Sequence, residues 1–193
     1  MDLDVQPLTE ERWPDLVALF EQRGPRGGVS VAGQCWCAYW RLPRSEFHAN
    51  WPRRGEVGER NREVLRSALD AGEPTGLIAY DGERPVGWIA VAPRENFVRL
   101  EASRPLARPD STPAWSVVCF VVDSQYRRHG VAGALLRAAI DDSRARGAVC
   151  IEAYGCAATD GDPFTGHETL FADNGFDVVA RRGRRAIMRR HLR

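Results

Sequence analysis

Lysine is absent from this 193-residue chain, because every residue in the combined Lys+Arg count of 27 is arginine. No side-chain amine is therefore available for a Schiff base, and no P-loop lysine can reach a phosphate. Charge of one sign is also lacking: the formal net charge is +1, which gives no general attraction to nucleic acid or an anionic membrane. No apolar run approaches the roughly 20 residues that cross a bilayer. The opening "MDLDVQPLTEERW" has neither the basic nor the apolar stretch of a secretory signal. Five cysteines, an odd number, argue against a disulfide framework, so the expected location is the cytoplasm with reduced thiols.

What remains is an ordinary globular composition, 44% hydrophobic and 27% charged, of a length that suits one domain over 1–193. A strand over 3–8 leads to Thr9, a candidate N-cap for a helix that carries Trp13, Leu16, Val17, Leu19 and Phe20 at helical spacing. Residues 23–55 read as a glycine-rich, then aromatic, loop, "QCWCAYWRLPRSEFHANW". A helix over 56–71 follows, then an antiparallel hairpin, "TGLIAY" and "VGWIAVAP" around a "DGERP" turn. "WSVVCFVV" is continuous in apolar residues, as a strand buried on both faces should be. Val131, Leu135, Leu136, Ala139 and Ile140 give a helix that stops at Gly147. A strand "AVCIEAY", a short helix over 167–173 and two final strands complete an α/β or α+β mixed sheet.

Between the buried strand and the helix lies "SQYRRHGVAGALL". A helix beginning in a basic, glycine-containing turn offers unpaired N–H groups and partial positive charge to an anion. Neither G-x-x-x-x-G-K-[ST] nor G-x-G-x-x-G is present. What stands there is Arg127-x-x-Gly130-x-Ala132, which resembles the R/Q-x-x-G-x-G/A signature of the GCN5-related N-acetyltransferases (GNAT). The likeness runs from about Val5 to the C-terminus. It is strongest to a bacterial branch, at Cys119 to Val122, Tyr126 to Ile140, Glu152 to Gly155 and an early C-x-C-x-x-W-R element, Cys35 to Arg41.

The resemblance implies the GNAT acyl-CoA N-acyltransferase fold, a splayed central sheet flanked by helices. It implies acetyl-CoA as cosubstrate, an amine of a small molecule or peptide as acceptor, and direct transfer between them. Backbone groups of Phe120, Val121 and Val122 would hold the pantetheine, with an N–H near Val121 polarising the thioester carbonyl. Arg127, Arg128, His129, Gly130, Val131, Ala132 and Gly133 would hold the pyrophosphate. Phe171 stands where relatives often carry a tyrosine acid, so it is grouped with the cosubstrate contacts and the acid must be found elsewhere. Strand alternation places Cys150, Glu152 and Tyr154 on one face, and Glu152 as base with Tyr154 as acid is one assignment. The other pairs Glu152 with an arginine and packs Tyr154 in the core.

Trp36, Tyr39, Trp40 and Arg41 are candidates for the acceptor wall, or else pack the loop against the sheet. No metal site is expected, since the one-residue gap of Cys35-x-Cys37 is shorter than a zinc knuckle requires. Cys119 reads as a small buried residue rather than an acyl carrier. The C-terminal arginines, Arg181, Arg182, Arg184, Arg185, Arg189, Arg190 and Arg193, read as a solvated face of a terminal hairpin. No nucleic-acid or membrane partner is expected, and the state is monomer or homodimer. A CoA-binding module without catalysis is the alternative reading.

Overall fold

The computed structural model describes residues 2–23, 28–157 and 164–192. Seven strands, β1 (Asp4–Pro7), β2 (Gly76–Asp81), β3 (Arg84–Pro93), β4 (Trp115–Val122), β5 (Cys150–Cys156), β6 (Asp177–Arg182) and β7 (Arg185–His191), form one sheet in the order β1-β2-β3-β4-β5-β7-β6. Among these described strands β4 and β5 are the one parallel pair, and the helix α7 (Val131–Ala145) makes the crossover between them. Their ladder is short: Trp115, Ser116 and Val117 face Ile151, Glu152 and Ala153, and beyond that point the two strands part. β5 spends its other edge on β7 along its whole length. The outer half of β4 thus has β3 on one side and a splay on the other, as expected of the mixed, splayed sheet.

Helices cover both faces. The buried positions of α7 include Val131, Leu135, Leu136, Ala139 and Ile140, which meet Val117, Ile151, Ala153 and Phe171 on one face. On the other, α1 (Trp13–Phe20) packs Leu16, Leu19 and Phe20 against Trp88 and Tyr154. Thr9 does not cap α1; the helix starts at Trp13 with Arg12 at the N-cap. Pro14 explains the delay, because it has no N–H to bond back one turn and so is tolerated only at a helix start.

Within the expected 23–55 loop, of which residues 24–27 lie outside the described set, three short helices alternate with irregular chain. They are α2 (Val31–Cys35), α3 (Ala38–Arg41) and α4 (Arg44–Ala49), after which come α5 (Glu59–Asp70), three residues shorter at its start than the spacing suggests, and the one-turn α6 (Val98–Glu101). Ser30 caps α2 by accepting from Gly33 N. Trp36 and Cys37 then take left-handed backbone angles, φ 49° and 54°, and break what would be one helix into two. Such angles disfavour side chains by about 1–2 kcal/mol per residue. Burial of the Trp36 ring, stacked 5.7 Å from Trp13 and tilted 5.1 Å from Phe20, offsets that cost.

Candidate active site

Three features converge where β4 leaves β5: an amide edge, a helix start and a cavity. In a strand successive N–H groups point to opposite edges. Phe120 N donates to Phe164 O at 2.6 Å, across the splay, while Asp123 N donates to Val86 O at 2.9 Å, on the β3 side. The phase therefore sends the Phe120 and Val122 amides into the splay. Val121 itself turns its N–H toward β3, where it is paired with Trp88 in register, so the amides near Val121 that face the splay are those of Phe120 and Val122.

Phe164 belongs to a short strap, residues 164–167, that the sequence did not single out. Besides the Phe120 bond, Gly166 O accepts from Cys156 N at 3.2 Å and His167 forms an isolated parallel bridge with Cys156. The strap therefore lies along the ends of both strands. Gly166 has φ +85°, and a Cβ there would come within 2.8 Å of the Phe171 ring and 3.2 Å of the Phe120 ring. Phe171 is itself fully buried against Phe120 and Phe176, at 6.1 and 5.6 Å between ring centroids. It supports the strap from the α7 face.

At the helix start, Gly130 is the N-cap of α7 with φ 83°, and the first intrahelical bond runs from Ala134 N to Gly130 O at 3.0 Å. The amides of Gly130, Val131, Ala132 and Gly133 precede it and have no intrahelical acceptor. Arg127, Arg128 and His129 are exposed around them, Val131 is buried into the sheet, and Ala132 and Gly133 are half-buried. Arg128, at φ 63°, tightens the turn. A helix start with unpaired amides, preceded in the chain by two exposed arginines, suits a phosphate-like anion.

The cavity, about 340 Å3, sits on the α1 face of β4. Its floor is Cys119 and Val121, its walls come from Tyr39, Trp40, Phe47 and Trp51, and Phe164, Thr165 and Arg185 stand at the splay end. Cys35 and Cys37 also line it. The Cys119 side chain hydrogen-bonds the Cys37 thiol and holds it below the ordinary thiol range, whereas burial, with the adjacent Cys37, pushes Cys35 up to about 12. Among the described residues no group of three or more His, Cys, Asp or Glu side chains is arranged to hold a metal ion. No described helix is long and apolar enough to cross a membrane.

Trp36 and Arg41 do not line this cavity. Trp36 is fully buried in the core. Arg41 is held under α3, with Nη1 3.4 Å from Glu73 Oε2 and Nη2 donating to Pro74 O at 3.3 Å. Burial lowers its pKa and the Glu73 carboxylate opposes that shift. Arg41→Met should therefore cost about 1–3 kcal/mol of stability by stranding polar partners, read by urea unfolding, while any acceptor KM stays within twofold.

Glu152 and Tyr154 come together, but away from the cavity, at 1% and 0% exposure. Arg189 Nη2 donates to Glu152 Oε1 at 2.6 Å and Arg94 Nη1 to Oε2 at 3.0 Å, with the Tyr154 hydroxyl 3.1 Å from Oε2. Ser116 Oγ and Arg94 Nη1 close the ring around that hydroxyl at 2.8 and 2.7 Å. Burial, then the Glu152 charge, pushes the Tyr154 phenol well above its ordinary value, so it stays protonated. Both Glu152 oxygens are engaged twice, the geometry of an arginine-paired carboxylate beside a core tyrosine, the second of the two readings. Arg189 corrects an expectation. It points inward from β7 at 5% exposure, whereas Arg181, Arg182 and Arg184 are exposed and Arg193 lies outside the described residues.

Comparison with known proteins adds an independent line. A family model described as "Acetyltransferase (GNAT) family" matches residues 36–162. Among solved structures, the chain is similar to yncA from Salmonella typhimurium with acetyl-CoA, at TM-score 0.58 and 14% identity over 99% of this chain and 94% of that one. It is also similar to the PaiA N-acetyltransferase of Thermoplasma acidophilum in complex with coenzyme A, at TM-score 0.53 and 13% identity over 99% of each chain. A third likeness is to the ribosomal-protein-S18-alanine N-acetyltransferase of Escherichia coli, at TM-score 0.50 and 12% identity over 99% and 94%. At these identities the likeness is one of fold. No curated protein matches the chain.

Proposed function

Because the chain belongs to the acetyltransferase (GNAT) family, we propose that it transfers acetyl from acetyl-CoA to a primary amine by direct attack, with the apolar cavity receiving the acceptor. The observation that carries this reading is the Phe120 amide, aimed into the splay between the α7 amides and the cavity. It already holds a carbonyl oxygen, that of Phe164, at 2.6 Å. The thioester or pantetheine carbonyl takes the same donor, so the strap at Phe164 yields when acetyl-CoA enters. Val122 supplies the next amide along the edge. The pyrophosphate rests on the amides of Gly130 to Gly133, with Arg127 and Arg128 at the rim.

In the transfer the amine lone pair attacks the thioester carbon, the C–N bond forms, and the oxyanion is held by the Phe120 N–H. As the C–S bond breaks, the nitrogen, cationic once the C–N bond has formed, gives its second proton to the departing sulfur or to solvent, and CoA leaves as thiol or as thiolate, tolerable for a thiol of pKa about 8.5. Glu152 and Tyr154 take no part. The ammonium's first proton passes to solvent before attack, because burial against apolar walls disfavours the charged form. Neutral amine increases with pH, so kcat/KM should rise about tenfold per pH unit below the acceptor's pKa and then level, with no descending limb from Tyr154.

Thiol release from acetyl-CoA across a panel of amines tests the assignment: release that depends on the amine supports it. The second reading, a CoA-binding module, draws on the sealing of Glu152 and Tyr154 away from the cavity. Acetyl-CoA binding by calorimetry with only slow, amine-independent hydrolysis would establish that module instead.

A further inference from the structure

Five aromatic side chains, Tyr39, Trp40, Phe47, Trp51 and Phe164, line the cavity. Tyr39 meets Trp40 and Phe47 edge-to-face at 4.9 and 5.3 Å between centroids, and Phe47 tilts against Trp51 at 5.3 Å. The Arg99 guanidinium sits 4.0 Å from the Tyr39 centroid and 5.1 Å from that of Phe47, and it is not itself part of the lining. It fixes the plane of the wall from behind. Large apolar side chains nonetheless remain in water at the rim: Val31, Tyr39 and Trp51 are 52%, 39% and 40% exposed. An exposed apolar cluster around a concave, ring-lined space points to a ligand that covers it.

We propose that the acceptor is a primary amine carried by a short arm on a flat body of one or two rings that bears no second cation. This rests on the acyltransferase reading and names its acceptor class. A cavity of about 340 Å3 is near the lower end for small-molecule sites and takes a body of that size. Ring edges and faces in the wall favour another ring in offset or edge-to-face contact. Among the described lining residues Arg185 is the one charged side chain and no carboxylate occurs, so a polycation finds no counter-charge there. The floor residues Cys119 and Val121 flank Phe120, whose amide enters the splay. A ring seated on that floor directs its amine arm toward the thioester carbon.

The test uses the full chain with acetyl-CoA and four amines: phenylethylamine, tryptamine, n-butylamine and spermidine. The expected result is kcat/KM for the two ring amines about tenfold or more above n-butylamine, as burial of a ring against a short chain predicts, with spermidine lower still. Trp40→Ala and the rim variant Trp51→Ala should each raise KM for phenylethylamine severalfold while the Kd for acetyl-CoA, read by calorimetry, is unchanged. Trp51 is exposed enough that its loss leaves the fold intact, so a misfolded Trp40 variant does not remove the test. Acetyl-CoA turnover that prefers n-butylamine or spermidine overturns the acceptor class and leaves acyltransfer standing. If acetyl-CoA fails to bind, acyltransfer falls, and phenylethylamine binding decides the cavity alone. Binding weakened by Trp51→Ala upholds the ring site, and no binding overturns it.

Discussion

Glu152→Ala is expected to destabilise the fold by about 3–5 kcal/mol, lowering Tm by about 10 °C for a chain of this length. The carboxylate is 1% exposed and answers two guanidinium groups, those of Arg94 and Arg189, that are themselves 1% and 5% exposed. Removing it leaves both cations short of a counter-charge in the interior. Asp110 and Glu101, which bond Arg189 and Arg94 from outside, retain part of the compensation. Glu152→Gln keeps the shape and two of the acceptor positions, so it should lose less, about 2–3 kcal/mol. Tyr154→Phe should lose about 1–3 kcal/mol, because Ser116 Oγ and Arg94 Nη1 each lose a partner. Denaturant unfolding of the three variants, with kcat measured on the folded fraction, separates this from chemistry. A wild-type Tm with kcat reduced a hundredfold in Glu152→Gln would return the residue to catalysis.

That network shows which parts of the molecule were legible from residue order. Local patterns transferred well: the period of Val131 to Ile140 defined α7, and the apolar run Trp115 to Val122 defined β4. Alternation correctly placed Glu152 and Tyr154 on the face opposite Ile151 and Ala153. Partners distant in sequence did not transfer. Arg94 reaches Glu152 across 58 residues and Arg189 across 37, and no local signal marks either arginine as buried. The aromatic stretch misled for a different reason. Periodicity cannot foresee two left-handed residues, and it is the turn at Trp36 and Cys37 that sends Trp36 into the core and leaves Tyr39 and Trp40 on the cavity. Phe47 and Trp51 lay in the same quoted run and were reachable as further wall residues. The strap at Phe164 was not, because its carbonyl bond to Phe120 depends on the width of the splay.

Gly130→Glu should weaken acetyl-CoA binding a hundredfold or more while leaving the sheet folded. At φ 83° the residue is in the left-handed region, so any side chain carries strain of about 1–3 kcal/mol. The Cβ itself enters open space, with nothing within 4 Å. Gly130→Ala therefore isolates the backbone strain, and its effect on affinity should be within about fivefold. The glutamate differs by placing a carboxylate among amides whose partial positive charge is the attraction for pyrophosphate. It supplies an internal acceptor for those N–H groups and repels the ligand's negative charge. Like-charge juxtaposition costs several kcal/mol, and about 1.4 kcal/mol corresponds to each tenfold in Kd. Screening makes a further distinction: raising salt weakens wild-type binding, since Arg127 and Arg128 are exposed, but should partly relieve the repulsion in the glutamate variant. Calorimetric Kd values for the three proteins at low and high salt read both effects. Equal affinity in all three would place the pyrophosphate away from this turn and remove the α7 amides from the site.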